Sequence, residues 1–116
     1  APLQLTALKE RVSVLDWGGM QIVGMPGEIF AETALYIRAH SATDCLMLAG
    51  FCEDNPGYIP PISEYESGGY EVDEAHRYYG QPASFVCGSA ELIMHKMISI
   101  SAKLEKSVRS VKRLDD

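Results

Sequence analysis

Three short stretches carry the side chains best placed to do chemistry: Pro26-Gly27-Glu28, Gly57-Tyr58-Ile59-Pro60 and Gly68-Gly69-Tyr70-Glu71, with Tyr65 between the last two. Glu28 offers a carboxylate and Tyr58 and Tyr70 two phenols from turns, where binding and catalytic residues concentrate when a rigid scaffold holds them. Proline and glycine punctuate all three stretches, so the polar side chains are presented from fixed bends. The surroundings suit a cation: between Glu53 and Glu74 the chain has seven acidic residues and no Lys or Arg, and the region is locally anionic. On pattern alone that acidic run reads first as a solvated loop. By composition alone Tyr58 and Tyr70 read first as rings packed at an edge with their hydroxyls hydrogen-bonded.

The elements that must position these groups are legible from periodicity. Residues 11–16 alternate apolar and polar, Trp17-Gly18-Gly19 supplies a turn, and Met20 to Met25 is an apolar run, which together predict two strands joined as a hairpin. Pro26-Gly27 ends the second strand. From Glu28 the apolar spacing of Ile29, Phe30, Thr33, Ala34 and Ile37 predicts an amphipathic helix over 28–40 with Glu28 in its first turn. There a carboxylate is favoured by the helix dipole by about 0.3–1 kcal/mol, an ordinary reason for a glutamate to stand at that place. Glu32, one turn on, is expected as a solvated surface residue. A third strand is predicted at 44–51, almost wholly apolar. A long amphipathic helix is predicted over 89–112, with Ile93, Met97, Ile100, Leu104, Val108 and Val111 as its stripe. The expected fold is α/β, a small mixed sheet with these two helices, and the stretch 52–83 between them reads as long and irregular.

The run Ile22-Val23-Gly24-Met25-Pro26-Gly27-Glu28 resembles the segment that carries a zinc-binding glutamate in the neutral, non-lysosomal ceramidases. Gly57-Tyr58-Ile59-Pro60, Glu64-Tyr65, Tyr70-Glu71, Ala75-His76 and Tyr79-Gly80 stand where that family has similar pairs, and the interval from Tyr58 to Tyr70 is the family's. Pro2-Leu3-Gln4 resembles its lead-in, so the resemblance covers most of residues 1 to 90. It implies that Glu28 and Tyr58 are zinc ligands and that Tyr70 donates a hydrogen bond to the oxyanion of an amide-hydrolysis intermediate. It further implies that residues 1–116 are one domain's worth of a larger catalytic domain, exported to the periplasm or beyond. The substrate it implies is an N-acyl amide or a lipid-like small molecule. The family's other zinc ligands are histidines upstream of this segment. Pro60-Pro61, in place of threonines, and Gly68-Gly69, in place of longer polar residues, point away from ceramide itself.

A metal-bound Tyr58 has to release a proton that a free phenol holds to a pKa of about 10, which only a cation makes easy. His40, His76 and His95 form no His-x-His or His-Glu-x-x-His pair, so the sequence offers no local substitute for the family's histidines. A catalytic zinc takes three protein ligands and a water, so the isolated segment reads as half a site, inactive alone. The competing expectation is a non-catalytic binding or oligomerisation module that keeps the fold without metal, its tyrosines stacked and its long helix paired. The two differ in whether Glu28, Tyr58 and Tyr70 converge.

Composition bounds the rest. At 116 residues and 47% hydrophobic the chain is sized for one core. A net charge of −6 argues against a nucleic-acid surface, although Lys103, Lys106, Arg109, Lys112 and Arg113 crowd the final helix. Three cysteines, Cys45, Cys52 and Cys87, have neither zinc-knuckle nor disulfide-scaffold spacing, and buried free thiols are expected. No span is long and apolar enough to cross a membrane. No Gly-x-Ser-x-Gly elbow or phosphate-cradling glycine loop is present. A segment of a larger domain is expected to expose the apolar surface where its remainder docks, and so to self-associate.

Overall fold

The computed structural model describes residues 7–115, with side chains through Arg109. Pro2-Leu3-Gln4 and the side chains of Val111, Lys112 and Arg113 lie outside the described residues. The fold is mixed α/β, as the alternation of strand and helix patterns implies. Strands β1 (Ser13–Trp17) and β2 (Met20–Gly24) form an antiparallel hairpin, paired from Ser13 with Gly24 to Trp17 with Met20. Its two-residue turn needs positive φ at both positions, and Gly18 and Gly19 supply 65° and 98°. The Asp16 carboxylate accepts from the Gly19 amide at 3.1 Å and closes it.

After β2 the chain makes a short strand β3 (Glu28–Ile29), helix α1 (Ala31–His40) and strand β4 (Leu46–Ala49). β4 returns parallel to β2, with Gln21 opposite Leu46 and Gly24 opposite Ala49, so the sheet order is β1-β2-β4. Thr33 and Ile37 face inward from α1, and Arg38 donates to the Leu46 carbonyl at 2.9 Å, tying the helix to the strand it precedes. The core is Val23, Met25, Ile37 and Leu46 packed against Met94 and Met97 of the last helix, α3 (Ser89–Asp115).

In three places the sequence expectation is corrected. Glu28 is not in a helix: α1 starts at Ala31, and Glu28–Ile29 pairs parallel with a strand β5 (Tyr58–Ile59). Pairing satisfies the Glu28 amide through the Gly57 carbonyl at 2.9 Å, which local helix propensity alone cannot foresee. The segment 52–83 is not simply irregular, because β5 is followed by helix α2 (Ile62–Ser67), a π-helical turn at Tyr70–Glu74 and a 3-10 turn at Ala75–Tyr79. None of the cysteines is buried: Cys45 and Cys87 are exposed in loops and Cys52 is half-buried, all three free.

The long helix exists where periodicity places it, but its buried line is Ala90, Met94, Met97 and Ser101. Of the expected stripe, Met97 is fully buried and Ile93 packs at the core's edge, while Ile100, Leu104 and Val108 are half-buried. The reason is polar. Gln21 is completely buried in β2 and bonds both ends of its amide to Ser101, giving Nε2 to the Ser101 carbonyl at 3.2 Å and accepting from the Ser101 hydroxyl. Burying an amide requires such partners, and Ser101 on the inward face of α3 provides them. The opposite face of the sheet leaves Leu15, Trp17 and Met47 exposed.

Candidate functional site around Glu28 and Tyr58

Gly27 makes the site's local geometry. Its φ of 71° turns the chain out of the core, and a Cβ there would stand 2.5 Å from the Gly57 carbonyl oxygen. That close approach lets three loops meet: the Gly27 amide donates to Asp54 at 3.1 Å, its carbonyl accepts from Phe51 at 3.0 Å, and Glu28 bonds Gly57. The Pro-Gly-Glu run is thus the hub where β3, the loop after β4 and the entry to β5 are joined. Phe51, a non-glycine residue at φ 57°, is held in a left-handed conformation at this junction.

β3 and β5 are in register with Glu28 beside Tyr58, so the two side chains stand next to each other. The Tyr79 hydroxyl donates to Glu28 Oε1 at 2.8 Å. Hydrogen bonding to the Glu28 carboxylate first, then partial burial and neighbouring negative charge, push the Tyr58 phenol up to about 12. The same carboxylate raises Tyr79, with burial adding to it. Both phenols are therefore neutral donors facing one carboxylate.

Tyr70 comes to the same place. It opens the π-helical turn after Gly68 and Gly69, both at positive φ, and the Gly69 amide donates to the Asp73 carboxylate at 2.9 Å. Single π-turns of this kind recur at functional sites. The Tyr70 ring lies 6.1 Å from that of Tyr58, edge to face, and Tyr79 lies 6.2 Å from Tyr58 in a similar arrangement. Phe30 contributes a third edge at 6.2 Å. Beside Phe30 and Tyr58 opens a cleft of about 420 Å3 whose walls include Met25, Leu48 and Phe51, with Glu28 also in its lining.

Tyr65, by contrast, leaves the group. Its hydroxyl donates to the Phe85 carbonyl at 2.8 Å, and burial raises its phenol, so it fastens the loop before α3. The histidines also have partners elsewhere: His40 stacks on Tyr36 with ring centres 4.0 Å apart, His95 meets the edge of Tyr36, and His76 contacts Ser84. Glu32 is exposed. Among the described residues no group of three or more His, Cys, Asp and Glu side chains is placed to hold a metal ion.

Sequence reasoning gave no role to Tyr79, although its hydroxyl donates directly to Glu28. The adjacent Tyr78 is 75% exposed, and nothing in the local pattern separates the two. Compared with known proteins, the chain matches no family model, no curated protein and no solved structure. Among the described residues no helix is long and apolar enough to cross a membrane.

Proposed function

We propose that this segment supplies part of a zinc-dependent amide-hydrolase site of the kind found in neutral ceramidases, with Glu28 and Tyr58 as metal ligands and Tyr70 as hydrogen-bond donor to the oxyanion. The observation that carries the reading is the parallel register of Glu28 with Tyr58, which sets a carboxylate and a phenol side by side, with the Tyr70 ring 6.1 Å from Tyr58. The donor set fits as two of the three protein ligands of a catalytic zinc, and the histidines implied by the family resemblance would complete it from outside this chain. When bound, the ion supplies Lewis acidity and lowers the pKa of a coordinated water.

The chain's own residues do the rest. Glu28 brings the negative charge that attracts a cation, and its backbone amide is pinned to Gly57, so the strand that carries it is fixed. Tyr58 is held neutral by that same carboxylate, so its phenol gives up its proton only in exchange for a stronger positive charge. Tyr70 is 44% exposed and offers its hydroxyl from a turn fixed by the Gly69–Asp73 contacts, as a donor to developing negative charge requires. The mainly apolar cleft suits the hydrophobic part of an N-acyl amide.

The test is calorimetric titration of the chain with zinc, alongside Glu28→Gln and Tyr58→Phe. The hydrolase reading expects binding that both substitutions weaken. Binding indifferent to both, or none, overturns it for this chain. A second reading then takes over, that of a metal-free binding module. One observation favours it: Glu28 Oε1 already accepts from the Tyr79 hydroxyl at 2.8 Å, so the carboxylate has a partner without an ion.

A further inference from the structure

We infer that Tyr79 is a positioning residue that fixes the orientation of the Glu28 carboxylate and thereby decides which oxygen the site offers to a ligand. Three contacts converge on this one side chain. Its hydroxyl donates to Glu28 Oε1 at 2.8 Å, across 51 residues of sequence. Its ring presses on Gly57, where a Cβ would lie 3.2 Å from both Cγ and Cδ2 of the ring. Gly57 in turn accepts the Glu28 amide at 2.9 Å, so Tyr79 braces the backbone beside Glu28 as well as its carboxylate. The same ring stands edge to face with Tyr58 at 6.2 Å.

The element that carries Tyr79 is itself anchored. The 3-10 turn Ala75–Tyr79 buries Ala75 to 1% exposure and ends at Gly80, whose φ is 70° and whose amide bonds the His76 carbonyl. A donor on an anchored turn holds one carboxylate oxygen and leaves Oε2 as the oxygen available to a ligand. Partners of this type orient ligating carboxylates in metal sites, and their loss typically costs about 10–100-fold in metal affinity. Gly57 has its place for the same reason: at φ 118°, where a Cβ would crowd the ring at 3.2 Å, it lets the Tyr79 ring close over the strand. Tyr78, one residue away and 75% exposed, has the same chemistry without this role.

Two measurements test the inference on Tyr79→Phe, with Tyr78→Phe as the control. Tyr79→Phe keeps the ring that packs on Gly57 and removes only the hydroxyl. The first measurement needs no metal: three-bond NMR couplings report the Glu28 side-chain rotamer. One rotamer is expected in the unsubstituted chain and in Tyr78→Phe, and averaged couplings in Tyr79→Phe. A single unchanged rotamer in Tyr79→Phe overturns the inference. The second rests on the metal-ligand reading of Glu28 and uses Co2+ as the probe, with Glu28→Gln beside it. Tyr79→Phe is expected to weaken Co2+ binding by about 10-fold. If Glu28→Gln weakens it and Tyr79→Phe does not, the positioning role is overturned while the metal reading stands. If Co2+ does not bind, or Glu28→Gln leaves binding unchanged, the metal reading falls and the rotamer measurement alone decides the role of Tyr79.

Discussion

Glu28 and Tyr58 are thirty residues apart in sequence and directly paired in space, register partners on two strands of two residues each. A strand pair this short has little stability of its own. It persists because Gly27 and Gly57 bring the two backbones within reach and because the Tyr79 and Phe30 rings pack on it. The site therefore depends on glycine geometry and on aromatic packing at once.

The first consequence is a titration. Tyr58 carries a phenol raised to about 12, with hydrogen bonding to Glu28 as the largest cause. A folded pKa above the unfolded value of about 10 means that the contribution is fully present below pH 10 and is lost as pH rises through 12. Ultraviolet difference titration should show a tyrosine step near pH 12 that diminishes in Tyr58→Phe. In Glu28→Gln that step should move down toward the ordinary range. An unshifted step in Glu28→Gln would show that the carboxylate is not its cause.

Gly27→Ala tests the close approach. The new methyl meets the Gly57 carbonyl oxygen at 2.5 Å while the backbone is held at φ 71°, so both the clash and the conformation oppose it. A loss on the order of 1–3 kcal/mol is expected for the strained conformation alone, more with the clash. Gly80→Ala has a similar φ of 70° and nothing within 4 Å, so it isolates the conformational part. Denaturant unfolding of the two variants should place Gly27→Ala clearly below Gly80→Ala; equal losses would mean that β3 and β5 do not approach as closely as described.

What the sequence revealed follows the range of the interactions involved. The hairpin was readable because Gly18-Gly19 between apolar runs is a local signal, and the mixed α/β architecture followed from alternating strand and helix patterns. Glu28 was misassigned to a helix because its partner strand starts thirty residues away, and the dipole argument sees only the next turn. The 52–83 stretch read as irregular because its elements are two to six residues long, below the length at which periodicity shows. The exposure of Cys45 and Cys87 depends on which loops carry them, which composition does not encode. Glu28, Tyr58 and Tyr70 were singled out by the family resemblance, with their turn settings only a hint, and the structure brings them near one another. Tyr79 needed the tertiary fold to separate it from Tyr78.

The rotation of α3 gives the sharpest stability contrast. Periodicity favours a stripe through Ile93, Met97, Ile100 and Leu104, whereas the buried Gln21 amide turns the helix so that Ser101 reaches it. Ser101→Ala removes the hydroxyl that bonds Gln21 Oε1 and leaves a buried acceptor unsatisfied, at about 1–3 kcal/mol. Met97→Ala empties a fully buried site and should cost about 2–5 kcal/mol, while Leu92→Ala, at 74% exposure, should stay within about 0.5 kcal/mol of the unsubstituted chain. Joining Ser101→Ala with Gln21→Leu replaces both polar partners by apolar groups, and the pair should recover much of the loss that Ser101→Ala causes alone. Additive losses in that double-mutant cycle would mean that Gln21 and Ser101 do not bond each other, and that something else sets the face which α3 turns to the sheet.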